Sequence, residues 1–352
     1  MKRTLFLLVL LVLPLGQIFA QSEATTPEGI PSVDATKDYL IERGADMLAH
    51  VTAIQSDALQ YFNFVEATSF DYQAAWDANT EEITGRVTEA RDEFILAHND
   101  YEGIEGIVAG VPTLTDFDVW IDAGPTGEDD PEGAYDWTLT LDDGREFVRP
   151  GNIFHWLLET TLWGTQPDHT GLRVDFDGNG ADERGDALPD AHFFLAIANA
   201  FVDATTQLNE SIGAWQPSLE DSFTALATMI PTMGDYFQEW KNSSFVAGSD
   251  PRFVAQSRLI DVRGIATSLS IIYGNVAPDV TGADETLHQQ IDTGFTDLLG
   301  FLDETRQEEV DGTQFTAEQA DALGEQAQNK ADSLAALVGQ AASLLNLTLP
   351  LE

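Results

Sequence analysis

The residues best suited to chemistry lie in the segment 151–164, where a histidine precedes a glutamate by four positions. At that spacing His155 and Glu159 point from the same face of a helix. A Pro-Gly-Asn sequence at the start and a glycine at the end are typical boundary signals of a helix. Most residues between them are apolar, and an unpaired charge is costly to bury. The pair must therefore be hydrogen-bonded within the core, protonated or bound to a metal, and these interpretations remain open.

A second group of acidic residues precedes this segment. Glu102 and Glu105 are three positions apart, so they share a face if the segment is helical, although the glycines among them weaken a helix. Asp116, Asp118 and Asp122 follow in a less regular stretch. In a chain this acidic, a solvated acidic loop is the competing interpretation for all five residues.

A third candidate is a run of twelve residues with the spacing of a calcium-binding loop. Such loops place oxygen-bearing side chains at positions 1, 3, 5, 9 and 12, a backbone carbonyl at position 7 and glycine at position 6. Aspartate replaces the usual glutamate at the last position, and no EF-hand helix clearly precedes the run. The alternative to bound Ca²⁺ is a plain Asp/Asn/Gly turn. The predicted calcium ligands are Asp175, Asp177, Asn179, the carbonyl of Ala181, Glu183 and Asp186.

Helical periodicity surrounds all three candidates. Between the helices, residues 123–150 are the least helical, and they predict a small β-hairpin within 135–149. The sequence thus predicts an all-α protein of two packed helical bundles, each resembling a four-helix bundle, with the hairpin and the calcium-like loop as insertions. The predicted helices cover residues 36–65, 72–98, 188–215, 219–240, 258–273, 286–310 and 316–347.

The chain also divides into predicted segments along its length. The first twenty residues join two basic residues to a short apolar run and a small-residue end, which predicts a secretory signal peptide over 1–20. Residues 21–35 are rich in Ser, Thr, Pro and Glu and predict a flexible leader. An N-terminal bundle is predicted over 36–215 and a C-terminal bundle over 216–352. The two are expected to meet near residues 215–245.

Composition narrows the possible partners. The chain has 60 acidic residues, 16 basic residues and a net charge of −44, so nucleic acid and anionic membranes are poor partners. No cysteine is present, which excludes disulfides, thiolate chemistry and a lipidated cysteine. No segment after the signal peptide is apolar enough to span a membrane. We therefore expect an exported protein, periplasmic, extracellular or at the cell surface, with an acidic surface that suits a salty habitat or gathers cations.

Three segments carry a resemblance to a known family. Residues 101–105 and Asp122 are similar to a Tyr-Glu-x-Ile-Glu-Pro sequence and the Ile-Asp that follows it. The segment from His155 ends in Leu-Trp-Gly and is similar to a Gly-x-His-x-x-Glu motif with its Leu-Phe/Trp-Gly tail. Residues 243–245 and 261–274 are similar to its C-terminal patterns. Together these segments resemble the imelysin family, which includes periplasmic iron-uptake proteins of the EfeO type.

The resemblance implies a site for iron or another transition metal. Its ligands would come from His155, Glu159, Glu102, Glu105 and Asp122, brought together from two segments. This sequence departs from the family pattern, because its histidine and glutamate are four positions apart instead of three, and glycine replaces the proline after the second glutamate. Both spacings keep the pair on one helical face, so a shared site survives while its detailed geometry is not carried over.

Three functions follow from these observations. The leading hypothesis is an exported imelysin-like metal-binding protein that binds iron or takes part in its uptake, with an iron permease or another uptake component as partner. The alternatives are a metallopeptidase of the imelysin type and a calcium-stabilised surface or interaction protein without catalysis. The zinc-peptidase pattern His-Glu-x-x-His is absent, and one histidine with one glutamate is too small a set for catalytic zinc unless other segments contribute. An enzyme is therefore the less favoured interpretation.

Overall fold

The protein is built mainly from α-helices, as the sequence predicts. The computed structural model describes residues 31–181 and 183–349, so the predicted signal peptide and residues 21–30 of the predicted leader lie outside the described residues. Within those ranges, no helix is both long and apolar enough to cross a membrane. In chain order the α-helices are α1 (Val33–Glu66), α2 (Tyr72–Val108), α3 (Thr115–Asp118), α4 (Thr160–Leu162), α5 (Ala191–Ala214), α6 (Leu219–Met229), α7 (Met233–Asn242), α8 (Arg258–Ala283), α9 (Glu285–Val310) and α10 (Ala317–Leu344).

Two short β-hairpins lie between α2 and α5. The first pairs β1 (Thr138–Thr140) with β2 (Glu146–Val148) in antiparallel fashion, within the predicted range. The second pairs β3 (Thr170–Arg173) with β4 (Ala187–Pro189), and the connection between its strands contains the calcium-like loop. The sequence does not predict this second hairpin, because residues 174–186 separate its strands, whereas a short Asp-Asp-Gly turn marks the first hairpin.

Polar caps account for several helix boundaries. Helix α1 begins at Val33, earlier than the periodicity indicates, because the side chain of Ser32 accepts a hydrogen bond from the backbone N–H of Ala35. Helix α8 continues to Ala283, whereas the sequence predicts an end at Gly274. A glycine inside a helix costs only about 1 kcal/mol, and the burial of Val276 beyond it favours continuation.

The helices pack as two neighbouring groups around one continuous apolar core. Helix α1 packs against both α2 and α5, and helices α7, α8, α9 and α10 form the second set of contacts. Helix α2 joins the two sets, because it packs against α8 and α6 as well as α1. Buried side chains from both sets belong to the same hydrophobic cluster. The division of the chain into domains at residues 215 and 216 stays a prediction.

Glycines on α2 and α8 allow these helices to approach closely. A Cβ added at Gly106 would lie 2.6 Å from Ser268 Oγ, and one added at Gly264 would lie 3.0 Å from Glu102 Cβ. A Cβ at Gly110, just after α2, would lie 2.5 Å from the backbone Cα of Ala225 on α6. Larger side chains would push the helices apart. The glycines therefore hold Glu102 next to the beginning of α8.

We expect Gly110→Ala to destabilise the protein by about 1–3 kcal/mol, because the added methyl group requires the backbone of α6 to move. Gly274→Ala is the control, since a Cβ there meets nothing within 4 Å. It should leave stability unchanged or raise it by about 0.5–1 kcal/mol, through the better helix propensity of alanine. Chemical denaturation measures both changes. Equal stability of the two variants would contradict the close contact between α2 and α6.

Candidate metal centre

Four buried side chains converge where α2 faces the π-helical segments that follow it. Ligand atoms of His98, Glu102, Asp122 and His155 all lie within 4.8 Å of one another, and each residue is at most 4% exposed. The Nε2 atoms of the two imidazoles are 3.3 Å apart. An ion bound at about 2.0–2.1 Å from each nitrogen would separate them by roughly 2.9–3.4 Å in octahedral or tetrahedral geometry. The spacing of this cluster, called the His/carboxylate cluster below, therefore fits one ion.

Three elements supply these four side chains. His98 and Glu102 are one turn apart on α2, which places His98 Nε2 3.0 Å from Glu102 Oε1. Asp122 lies in the π-helical segment Val119–Ala123 and His155 in the π-helical segment Ile153–Glu159. π-Helical turns are rare and are frequent at functional sites. The structure thus uses its two irregular helical segments to direct Asp122 and His155 toward α2.

Local hydrogen bonds orient His155. Asn152 caps its segment, because the Asn152 Oδ1 accepts from the backbone N–H of His155 at 2.8 Å and of Trp156 at 3.2 Å. On the far side of the ring, His155 Nδ1 lies 2.7 Å from Glu159 Oε2. A proton on Nδ1 shared with that carboxylate leaves the lone pair of Nε2 directed into the cluster.

The motif glutamate therefore lies behind the imidazole and not among the four clustered ligands. Its other oxygen, Glu159 Oε1, accepts hydrogen bonds from the backbone N–H groups of Val254 at 2.6 Å and Ala255 at 2.7 Å. These two residues belong to the loop between α7 and α8. Glu159 thus positions His155 and at the same time ties the second group of helices to the site.

Glu105 also lies beside the cluster instead of within the four. Its Oε1 accepts a hydrogen bond from Tyr236 at 2.5 Å, and burial together with the charge of Glu102 raises its pKa well above the usual range. Asp118 is similar: it accepts from Tyr101 at 2.8 Å, and burial and Asp122 raise its pKa to about 7. These two carboxyl groups are therefore held by phenols next to the predicted site.

The sequence pattern missed His98, although a signal was present. His98 precedes Glu102 by four positions, the same spacing as His155 and Glu159. The predicted helix ended at His98, because Gly103 and Gly106 discourage a longer one. In the structure α2 runs through both glycines to Val108, and this continuity places His98 and Glu102 on one face.

Helix α8 contributes a further set of buried polar groups that the sequence did not single out. Arg258 NH1 lies 2.8 Å from Asp261 Oδ2 and 3.0 Å from His155 Nε2. Gln256 Nε2 lies 2.7 Å from His98 Nδ1 and 2.9 Å from Asp261 Oδ1. Asp261 is fully buried and Arg258 is 2% exposed. Each imidazole therefore has a partner at Nδ1 and its Nε2 facing the cluster.

Carboxylate oxygens in this region lack directed hydrogen bonds. Glu102 Oε1 is close to His98 Nε2 and Asp261 Oδ2 is close to Arg258 NH1, but these approaches do not have hydrogen-bond geometry. Buried polar atoms without partners are unusual in folded proteins. These oxygens are therefore available as ligands to a cation. The unpartnered carboxylate atoms are Glu102 Oε1 and Oε2, Glu105 Oε2, Asp122 Oδ1 and Asp261 Oδ2.

Burial and neighbouring charges shift the pKa values of the cluster residues in opposite directions. Burial raises the pKa of Glu102, and the nearby Asp261 and Asp122 raise it further. Burial also opposes ionisation of Asp122, but the charge of His155, whose Nε2 lies 3.2 Å from Asp122 Oδ1, and the close approach of His98 outweigh burial and hold its pKa well below the usual range. Burial lowers the pKa of both imidazoles, yet Asp122 and, for His98, Asp261 outweigh it, so both pKa values lie above 6.5. Protons therefore compete with a metal ion for these nitrogens at near-neutral pH.

The fold and the cluster define a class: a helical protein with a buried histidine and carboxylate centre between two groups of helices. A family model described as Imelysin matches residues 58–338, most of the chain. The chain therefore belongs to the imelysin family, and the resemblance carried by its motifs is confirmed. A comparison with curated proteins finds no match.

The calcium-like loop brings together three of its predicted ligands. Oxygens of Asp175, Asp177 and Asp186 lie within 4.8 Å of one another, with the first two side chains exposed and Asp186 buried. Glu183 does not join this group, because its Oε1 accepts a hydrogen bond from Asn179 Nδ2 at 2.5 Å. Asn179, another predicted ligand, turns its Oδ1 toward the backbone N–H of Ala181, from which it accepts at 2.6 Å. The last predicted ligand, the carbonyl of Ala181, directly precedes position 182, which lies outside the described residues.

We expect the metal-free protein to lose stability as the pH rises from about 4 to about 7. The folded protein holds protons on Glu102, Glu105 and Asp118 that an unfolded chain releases near pH 4. Stability from these protons is complete below that pH and is lost as pH rises through the folded pKa, about 7 for Asp118.

Asp118→Asn tests this expectation, because asparagine is neutral at every pH and still accepts from Tyr101. The variant should gain about 1 kcal/mol or more over the wild type at pH 8, since one pKa unit corresponds to about 1.4 kcal/mol. Asp116→Asn is the control, because Asp116 is exposed and lies only two positions before Asp118. Thermal unfolding across this pH range in a chelator measures the difference. Parallel profiles for Asp118→Asn and the wild type would show that Asp118 is not held protonated.

Proposed function

We propose that this protein binds a first-row transition metal, iron in its biological role, at the His/carboxylate cluster. The observation that carries the proposal is the convergence of two imidazole nitrogens and two carboxylates within 4.8 Å in a buried site. Two histidines with carboxylates suit iron and neighbouring divalent ions, whereas soft ions such as Cu(I) prefer the thiolates that this chain lacks. The imelysin resemblance to iron-uptake proteins favours iron among these ions.

The surroundings of the cluster support this assignment. Glu159 behind His155 is the kind of outer partner that fixes the orientation of a metal-binding imidazole, because it accepts the proton of Nδ1. Gln256 holds the ring of His98 by donating to its Nδ1, so a metal at His98 Nε2 requires this amide to turn and present its oxygen. Buried carboxyl oxygens without hydrogen bonds offer ligands to a cation, which would displace the protons that Glu102 and Glu105 hold in the metal-free protein. A dedicated metal site needs both features: fixed ligands and uncompensated donors.

Burial of the cluster favours binding over peptide cleavage. A metallopeptidase needs a metal with an open coordination position and a cleft that admits the substrate. Here the ring of Phe253, 4% exposed, packs against His155 with 4.9 Å between ring centres. This ring and its loop cover the cluster, which suits an ion that is held and later released better than a peptide that is cut.

We further propose that the protein works outside the cytoplasm as a collector of metal ions. The signal-peptide pattern supports export, and the net charge of −44 would raise the local concentration of cations around the protein. Delivery to an iron permease or another uptake component follows from the family resemblance. These steps complete the proposal of an imelysin-like iron-binding protein.

The proposal predicts that His98→Ala weakens metal binding at least as strongly as His155→Ala. Each substitution removes one of two nitrogen ligands, so we expect a loss of 100-fold or more, whereas Glu159→Gln, which disturbs an outer partner, should cost about 10–100-fold. Calorimetric titration of metal-free protein with Fe²⁺, Fe³⁺ and Zn²⁺ measures the dissociation constants. His50→Ala removes a surface histidine that pairs with Glu93 and serves as control. Equal binding by His98→Ala and the wild type would disprove this ligand set.

A separate observation supports a structural calcium ion at the calcium-like loop. Asp175, Asp177 and Asp186 occupy positions 1, 3 and 12 of the loop rule, and their oxygens lie close together. We propose that Ca²⁺ bound there offsets the repulsion among these carboxylates and stabilises the β3–β4 connection.

Calcium added to chelator-treated protein should raise the Tm of the wild type by several degrees, through preferential binding to the folded state. The double variant Asp175→Asn, Asp177→Asn should lose this response. His98→Ala should retain it, which separates the loop from the His/carboxylate cluster. Asp203→Asn, at an exposed position on α5, controls for the loss of a surface charge. A wild-type Tm that does not respond to calcium would rule out this site.

A further inference from the structure

We propose that Arg258 is an internal competitor of the bound metal: its guanidinium occupies the donors that the ion would use and thereby sets the affinity of the site. The proposal rests on the metal-binding function proposed above and adds a determinant of how tightly the ion is held. Arg258 lies at the first position of α8 and is 2% exposed. It is the cation in closest contact with the His/carboxylate cluster among the described residues.

The position of the guanidinium shows the conflict with an ion. Arg258 NH1 lies 3.0 Å from His155 Nε2, so its N–H is directed at the nitrogen whose lone pair faces the cluster. The same NH1 is 3.8 Å from Glu102 Oε1. A nitrogen lone pair accepts a hydrogen bond or binds a metal, but it does not do both. Binding of an ion at His155 Nε2 therefore requires NH1 to give up this contact.

Charge strengthens the competition. A guanidinium stays protonated at any relevant pH, so it repels a metal cation across a few ångströms of protein interior, where screening by water is weak. The same charge offsets the buried carboxylates of Glu102 and Asp261. Arg258 therefore has two linked effects: it stabilises the protein without metal, and it lowers the affinity for metal.

A second set of contacts, to Glu239, holds the guanidinium outside the cluster. Arg258 Nε and NH2 donate to Glu239 Oε2 at 2.9 and 2.7 Å, and neither contact involves the cluster. The Glu239 side chain is 38% exposed, whereas that of Arg258 is 3% exposed, so this anchor lies toward the surface. The rings of Phe253 and Tyr236 flank the guanidinium at 5.0 and 5.8 Å. Because the guanidinium is a rigid plane, NH1 leaves His155 only when the whole group shifts, and the partly exposed Glu239 side chain can move with it. The outer contacts then persist while NH1 gives up His155.

This arrangement suits a protein that must release its ion. Very tight binding would slow release of the metal. When Arg258 again donates to His155 Nε2, it favours departure of the ion. The competition is local, because it depends on the contacts of one NH1 group. It can therefore be tested by changing that group and one residue beside it.

The central experiment measures Zn²⁺ and anaerobic Fe²⁺ binding by Arg258→Met, which keeps an unbranched apolar side chain but removes the guanidinium and its charge. We expect at least 10-fold tighter binding, a lower Tm without metal and a larger rise of Tm on metal addition than in the wild type. Arg258→Lys, which retains the charge, should stay within a few-fold of wild-type affinity. Unchanged or weaker binding by Arg258→Met would overturn the proposal.

Arg252→Met is the matched control. Arg252 lies on the loop just before α8, pairs with Asp250 and stacks on Trp156 at 4.3 Å, and it contacts no member of the cluster within the described part of the chain. Its substitution should leave metal affinity unchanged. A 10-fold tightening in this variant too would mean that removal of any nearby positive charge produces the effect, and it would overturn a specific role for Arg258.

Glu239→Gln provides a second test that does not depend on the stability of Arg258→Met. Weakening the outer anchor leaves Arg258 more firmly with His155 and Asp261, so metal binding should weaken several-fold, and tighter binding would contradict the competition. The result also separates the two proposals. If the wild type binds no metal, the metal-binding function fails. If the wild type binds metal through His98, and Arg258→Met and Glu239→Gln bind it with the same affinity, only the role of Arg258 fails.

Discussion

The structure depends on one constraint: a concentration of negative charge is buried where the two groups of helices meet. Glu102, Glu105, Asp118, Asp122 and Asp261 are each at most 7% exposed. Carboxylates taken out of water must be protonated, hydrogen-bonded or paired with cations. The surrounding contacts meet this requirement in different ways. Phenols donate to two of these groups, imidazoles hold a third ionised, and a guanidinium lies beside the others.

Helix packing makes this concentration possible. Glycines on α2 and α8 remove the side chains that would separate these helices, so that Glu102 and the start of α8 come into contact. Two π-helical segments then turn Asp122 and His155 inward from the opposite side. The apolar core is continuous across the junction, which keeps the polar centre away from water. The packed helices thus fix where the side chain of Glu102 lies, and the π-helical segments orient Asp122 and His155 toward it.

The two ring nitrogens of His155 make different contacts. Nε2 faces the cluster and Arg258, while Nδ1 is held by Glu159, which also accepts from the backbone of the loop before α8. One residue therefore connects the His/carboxylate cluster, the loop before α8 and the second group of helices. Movement of this loop and the orientation of the imidazole are linked through a single carboxylate.

The sequence by itself determined the helical class, the first hairpin and membership of the imelysin family, because periodicity, turn residues and motifs are local properties. It also placed His155 with Glu159 and Glu102 with Glu105 on common faces. A spacing of three or four defines a face, but it does not say which member of a pair meets a partner across the interface. In the structure one member of each pair lies in the cluster and the other stands behind or beside it. His98 reaches His155 over 57 positions and Arg258 reaches it over 103, so only tertiary packing, which no local pattern encodes, decided the composition of the site.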